Sequence, residues 1–201
     1  MIKQSLNKKV IIFGFIFTFF SSFGQSFFLG LFNPSIRNDL NISHGQFGSI
    51  YAFATVCSSL VLIWFGKKID EYKLFNYSLI VILLLIFSTF FFSLINNFYF
   101  LIFGVFLMRF SGQGLMSHTS TTTISRYFNK RRGKALSAVW FGLSSAEFIL
   151  PLLVIFLLTF LSWRTIWQIS SLAMLITLPL VIILTIKNIT IDSREENTEE
   201  E

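Results

Sequence analysis

Two ionisable side chains stand inside long uncharged stretches. Glu147 lies in SAVWFGLSSAEFILPLLVIF, residues 137–156, with ten uncharged residues before it and nine after. Arg109 interrupts the run FYFLIFGVFLMRFSGQG. A carboxyl can take up and release a proton, and a guanidinium can hold an anion. Gln113 and Ser117 follow Arg109 at one-turn intervals, so the three share a helix face. Ser144 stands about one turn before Glu147, and Gln25 is an amide among apolar neighbours that needs partners or water. Arg109, Glu147, Gln113, Gln25 and Ser144 are therefore the candidates to hold a small polar or charged molecule. Two other readings stay open: a fixed Arg109–Glu147 ion pair that sets helix register, and a neutral, locally hydrogen-bonded Glu147. His118 is nine residues from Arg109, about 900° round a regular helix, which puts it on the opposite face. His44 falls in an outer loop, where water solvates it.

Enzyme chemistry finds no foothold. There is no H-E-x-x-H, no P-loop and no Cys–His cluster, so neither metal nor cofactor is expected. GLSS at 142–145 is a weak echo of a nucleophile motif, with no matching histidine. Cys57 is the single cysteine, so no internal disulfide forms.

The elements that carry these residues follow from composition. The chain has 201 residues, 27 of them Phe, and only 13% are charged; its mean hydropathy is +0.70. Six apolar runs, at 10–32, 46–65, 74–95, 98–124, 135–161 and 163–186, each reach the ~20 residues that cross a bilayer as a helix. Their apolar character is continuous, whereas barrel strands alternate over ~10 residues. The expected fold is an all-α membrane protein: a bundle of six transmembrane helices over residues 1–187, then an acidic, disordered cytoplasmic tail at 188–201. The first run is too long for a signal peptide and has no A-x-A site, so a retained helix is expected.

Charge sorts by side. With the N-terminus inside, the inner segments hold thirteen basic residues: Lys3, Lys8, Lys9, Lys67, Lys68, Lys73, Arg126, Lys130, Arg131, Arg132, Lys134, Lys187 and Arg194. The outer loops hold only Arg37 and Arg164. That asymmetry places both termini in the cytoplasm and accounts for KRRGK without nucleic acid.

Loops and polarity suggest the packing. Asn33–Pro34 reads as the end of the first helix and the start of the longest outer loop. The other outer loops are short, so consecutive helices are expected side by side. Gly14, Thr18, Ser22, Ser26 and Gly30 form a small-residue stripe in span one; Ala138, Gly142 and Ala146 form another in span five. Span three, nearly all apolar, is expected to face lipid, and spans one, four and five to line a polar interior. Arg109 lies ~16 Å below the outer end of span four and Glu147 ~21 Å below that of span five, so both sit near the midplane. GQG at 112–114 could loosen span four.

At this point the sequence resembles the N-terminal half of a major facilitator superfamily transporter. GKKIDEYK resembles the superfamily's loop motif, with Gly66 and Asp70 at its Gly and Asp positions. LMRFSGQG resembles the fourth-helix motif, with Arg109 at its arginine. RYFNKRRGKALSAVWFGLSSAEFILP resembles a bacterial subgroup pattern, and WRTIW resembles the opening of the sixth helix. The chain departs from the pattern at Glu71, Tyr72 and Lys73, at Ser145 where the subgroup has Gly, and in having six spans where the superfamily has twelve. The resemblance implies secondary active transport of a small solute by alternating access in the cell inner membrane, an organic anion coupled to protons being the specific expectation. It implies Arg109 on the cavity side, Gly66 and Asp70 at a cytoplasmic gate, and a second six-helix half, on a separate chain or a second copy. The alternative expectation is a non-transporting scaffold or assembly subunit derived from a transporter half.

Overall fold

The computed structural model describes residues 2–187 and Ile189, and among these it contains helices and no strand. The acidic tail, apart from Ile189, lies outside the described residues. The helices are α1 (Ile2–Ser21), α2 (Ser26–Leu40), α3 (His44–Lys67), α4 (Leu74–Ser93), α5 (Phe98–Met108), α6 (Ser117–Tyr127), α7 (Arg132–Leu158) and α8 (Trp163–Thr185). A 3-10 turn at Ser22–Gly24 joins α1 to α2, and a π-helical segment at Arg109–Met116 joins α5 to α6. Six helical spans are long and apolar enough to cross a membrane, the first and fourth each being such a composite. In lipid this arrangement satisfies the backbone within each segment.

Local sequence sets several helix starts. Ser43 and Gln46 form a reciprocal capping box ahead of α3, at 3.1 and 2.7 Å. The side chains of Asn97 and Ser162 accept the Phe100 and Thr165 amides and so start α5 and α8.

Span one corrects the sequence expectation. Pro34 does not end the helix: α2 runs through it to Leu40 and stops at Asn41, whose φ of 51° is left-handed. A proline ring crowds the carbonyl four residues earlier, here that of Gly30, an exposed residue with open space where a side chain would be. The bond from Arg37 Nε to Asn33 Oδ1, 2.7 Å, reinforces the turn around the proline. The loop between spans one and two therefore shrinks to residues 41–43.

Packing also departs from simple neighbour pairing. The dominant contacts join α1 to α7, α4 to α8, and α3 to α5 and the π segment. Short loops bring consecutive helices near one another, but shape decides which pairs seat closely. The small stripes of spans one and five meet. A side chain at Gly14 would touch Val139 at 2.8 Å, and one at Gly142 would run into the Phe15 carbonyl and the Thr18 hydroxyl. Thr18 Oγ1 donates to the Val139 carbonyl at 2.5 Å. The buried stripe on α7 is Ala135, Val139, Gly142 and Ala146, so Ala138 falls outside it. On α2, Ser26 and Gly30 are exposed, because the 3-10 turn resets the helix face.

Span three presents Ile80, Leu83, Phe87, Phe90 and Leu94 outward, a surface suited to acyl chains. Its other face is buried, and its hydroxyls act as interhelical glue. Ser111 donates to Ser88 at 3.0 Å, and Ser171 donates to the Ile86 carbonyl at 3.0 Å. The expectation that this span faces lipid holds for one side only.

At the end of the bundle where α2 meets α8, Arg164 ties three segments together. It pairs with Asp39 of α2, donates from Nη2 to the Ile95 carbonyl at 2.8 Å, and lies 4.2 Å over the Trp163 ring. Trp163 Nε1 also donates to Asp39, at 2.7 Å. Arg164→Ala is expected to destabilise the fold by about 1–3 kcal/mol, since it strips a charged donor from two acceptors at once. A thermal midpoint equal to the parent's would show that the clasp contributes nothing.

Candidate functional site

The two irregular segments meet each other. Gln25, with ψ 155°, is extended and separates the 3-10 turn from α2. Two glycines, Gly112 and Gly114, sit inside the π segment, where the helix is widened. Gly24 and Gly112 are in backbone contact. A Cβ on Gly112 would lie 2.6 Å from the Gly24 nitrogen and 2.8 Å from its Cα, and one on Gly24 would overlap the Met108 carbonyl and the Gln113 amide. Glycine is required at both places because no side-chain atom fits between the chains.

Arg109 opens the π segment and is only 9% exposed. Its Nη1 donates to the Gly24 carbonyl at 3.0 Å, and its guanidinium carbon lies 5.0 Å from the centre of the Tyr51 ring. Its Nε has no partner among the described residues, and no carboxylate among them forms an ion pair with it. A backbone carbonyl and an aromatic face are the compensation this cation receives.

Further unpaired polar atoms surround it. Nine buried side-chain N or O atoms lack a hydrogen-bond partner among the described residues. Five of them, on Ser22, Tyr51, Arg109, Gln113 and Ser117, lie at the crossing or on the wall of span four that descends from it. Buried polar groups are seldom left orphaned, and such a cluster marks a place that water or a ligand completes. The one-turn spacing of Arg109, Gln113 and Ser117 makes this wall visible in the sequence. Tyr51 carries no such signal, because a tyrosine in an apolar span reads as one more large ring.

Glu147 stands elsewhere. It is exposed on α7 and makes no ion pair with Arg109. Equal depth does not imply a shared face: Arg109 turns toward α3 and the span-one break, whereas α7 packs on α1. At about 100° per residue, Trp140, Ser144 and Glu147 fall within about 60° of one another, beside the buried stripe of α7. All three are exposed. Phe141, Phe148 and Leu152 form a separate apolar flank roughly 90° further round. Pro151, inside α7, has no amide hydrogen to close on the Glu147 carbonyl. Gln25 is half-buried at the crossing, where the span-one break sets it.

Gly66 and Asp70 come together at the C-terminal end of α3. Asp70 pairs with Arg126 of α6, and Gly66 lies under the His118 ring, 3.4 Å from where its Cβ would be. Ser59, Thr122 and these four residues line a cavity of about 360 Å³. His118 therefore belongs with Gly66 and Asp70 and not to the Arg109 site. The opposite-face arithmetic assumes a regular helix, and the π segment between the two residues changes the turn per residue.

No curated protein and no solved structure matches the chain. A family model does: that of the Major Facilitator Superfamily, over residues 14–200. The match runs through all six spans, from α1 past α8, and takes in both the broken first span and the widened fourth. The chain is thus a multi-pass membrane protein that belongs to the Major Facilitator Superfamily, a family of transporters.

Proposed function

We propose that the chain acts as one six-helix half of a secondary transporter that moves a small organic anion together with protons by alternating access. The observation that carries this reading is Arg109. It is a buried cation without a carboxylate partner among the described residues, placed where two spans lose α-helical regularity. Such a charge is costly unless a counter-ion reaches it, and a solute anion supplies one. A scaffold would leave that cost without a return.

A second half, on another chain or a second copy of this one, would cover the polar flank of α7 and close a cavity between Glu147 and the Arg109 wall. Rocking of one half against the other would expose that cavity to each side in turn. Asp70, paired with Arg126 beside Gly66, would serve the cytoplasmic gate. The thirteen-to-two distribution of basic residues supports an inner-membrane chain with both termini in the cytoplasm.

Glu147 supplies the coupling. Ionised, it repels the anion from the cavity it would share with Arg109; protonated, it leaves Arg109 as the charge the anion meets. Uptake is then expected to rise with proton concentration. The test is uptake of labelled small organic acids into proteoliposomes holding the chain with its completing half, across a pH series. Glu147→Gln is expected to keep uptake and flatten its pH dependence. A pH profile matching the parent's removes Glu147 from the coupling.

A further inference from the structure

The unpaired atoms around Arg109 differ in what they ask of a ligand. Arg109 Nε can only donate, and it does so with a charge behind it. Tyr51 OH and Ser117 Oγ can each donate or accept. Gln113 Oε1 can only accept. All four atoms are buried and lack a partner among the described residues, and Arg109 as a whole is more than nine-tenths buried. A simple carboxylate would satisfy Arg109 and the Tyr51 hydroxyl, yet it offers no hydrogen to Gln113. That acceptor lies four residues further along the π segment.

We infer that the solute carries its own neutral hydrogen-bond donor beside the carboxylate, and that the site is built for a small hydroxycarboxylate. The inference rests on the transport reading above and names the class of anion. An amino acid would also bring a donor, but its ammonium would lie within a turn of the Arg109 guanidinium. No carboxylate among the described residues forms an ion pair at that wall to offset the repulsion. A hydroxyl supplies the hydrogen without the charge. The carboxylate then takes Arg109 Nε and the Tyr51 hydroxyl, and the solute hydroxyl donates to Gln113 Oε1.

The test is binding of labelled 3-hydroxybutyrate to the full chain in lipid nanodiscs, with butyrate, glycolate and acetate as competitors. Each hydroxy acid is expected to compete roughly 10- to 100-fold better than its deoxy counterpart, the effect of leaving a buried acceptor unpaired. Gln113→Leu is expected to bring that ratio close to one, and Gln113→Asn, which keeps an amide, to retain most of it. Arg109→Met is expected to lose all four acids. Equal competition by hydroxy and deoxy acids, or a ratio that survives Gln113→Leu, overturns the hydroxycarboxylate assignment and leaves anion transport standing. Failure of all four acids to bind overturns it as well. Binding that persists in Arg109→Met removes the anion site itself, and the transport reading with it.

Discussion

Gly24→Ala is expected to cost this fold about 3 kcal/mol or more, beyond the usual range for one added methyl. Overpacking a core ordinarily costs about 1–3 kcal/mol, because neighbouring side chains rotate or shift to make room. At Gly24 the obstacles are the Met108 carbonyl and the Gln113 amide, which are backbone and cannot rotate away. The two spans would have to separate at their crossing, which would also pull the Gly24 carbonyl from Arg109 Nη1. Gly112→Ala meets the same wall from the other side. Gly30→Ala is the control: nothing lies within 4 Å of its Cβ position, so the helix should gain about 0.5–1 kcal/mol from the added residue preference. Thermal midpoints of the three variants in detergent measure this. If Gly24→Ala melts with the parent, the close crossing of spans one and four is wrong.

This crossing marks the boundary of what the residues disclose in one dimension. Six spans are legible, because hydrocarbon thickness imposes a length and an apolar content on each. Azimuth is not. Arg109 and Glu147 can lie at matched depth and still face apart, since nothing in a linear pattern tells which helix stands beside which. The small stripes come nearest to saying so, and the Gly14 and Gly142 stripes do meet, with Val139 in the place expected for Ala138. Pro34 misleads because proline weakens a helix without forbidding it, and inside a spanning segment α2 runs through it to Leu40. Tyr51 is silent because its ring is apolar by composition and acquires a role only where a cation faces it. GQG hints at the π segment, but nothing in it tells that Gly112 lies against the Gly24 backbone.

Arg109→Met should separate stability from function. Methionine has similar length, and the thioether removes the charge without leaving a large void. If the guanidinium is kept for a solute, the folded half should hold its stability or gain about 1–3 kcal/mol, because a buried and poorly compensated charge has been taken away. Uptake of organic anions should fall roughly 100-fold or more, the scale of losing a charge-assisted contact in a dry site. Arg109→Lys should lie between the two in transport. It retains a positive charge but loses the planar fork that reaches Gly24 while stacking on Tyr51. A purely structural arginine, clasping span one to span four through the Gly24 carbonyl, predicts the reverse order. Its loss would lower the thermal midpoint by several degrees, and any transport defect would scale with the amount of folded protein. Measuring midpoint and uptake per folded molecule on the same three proteins decides between a residue that holds the helices together and one that waits for an anion.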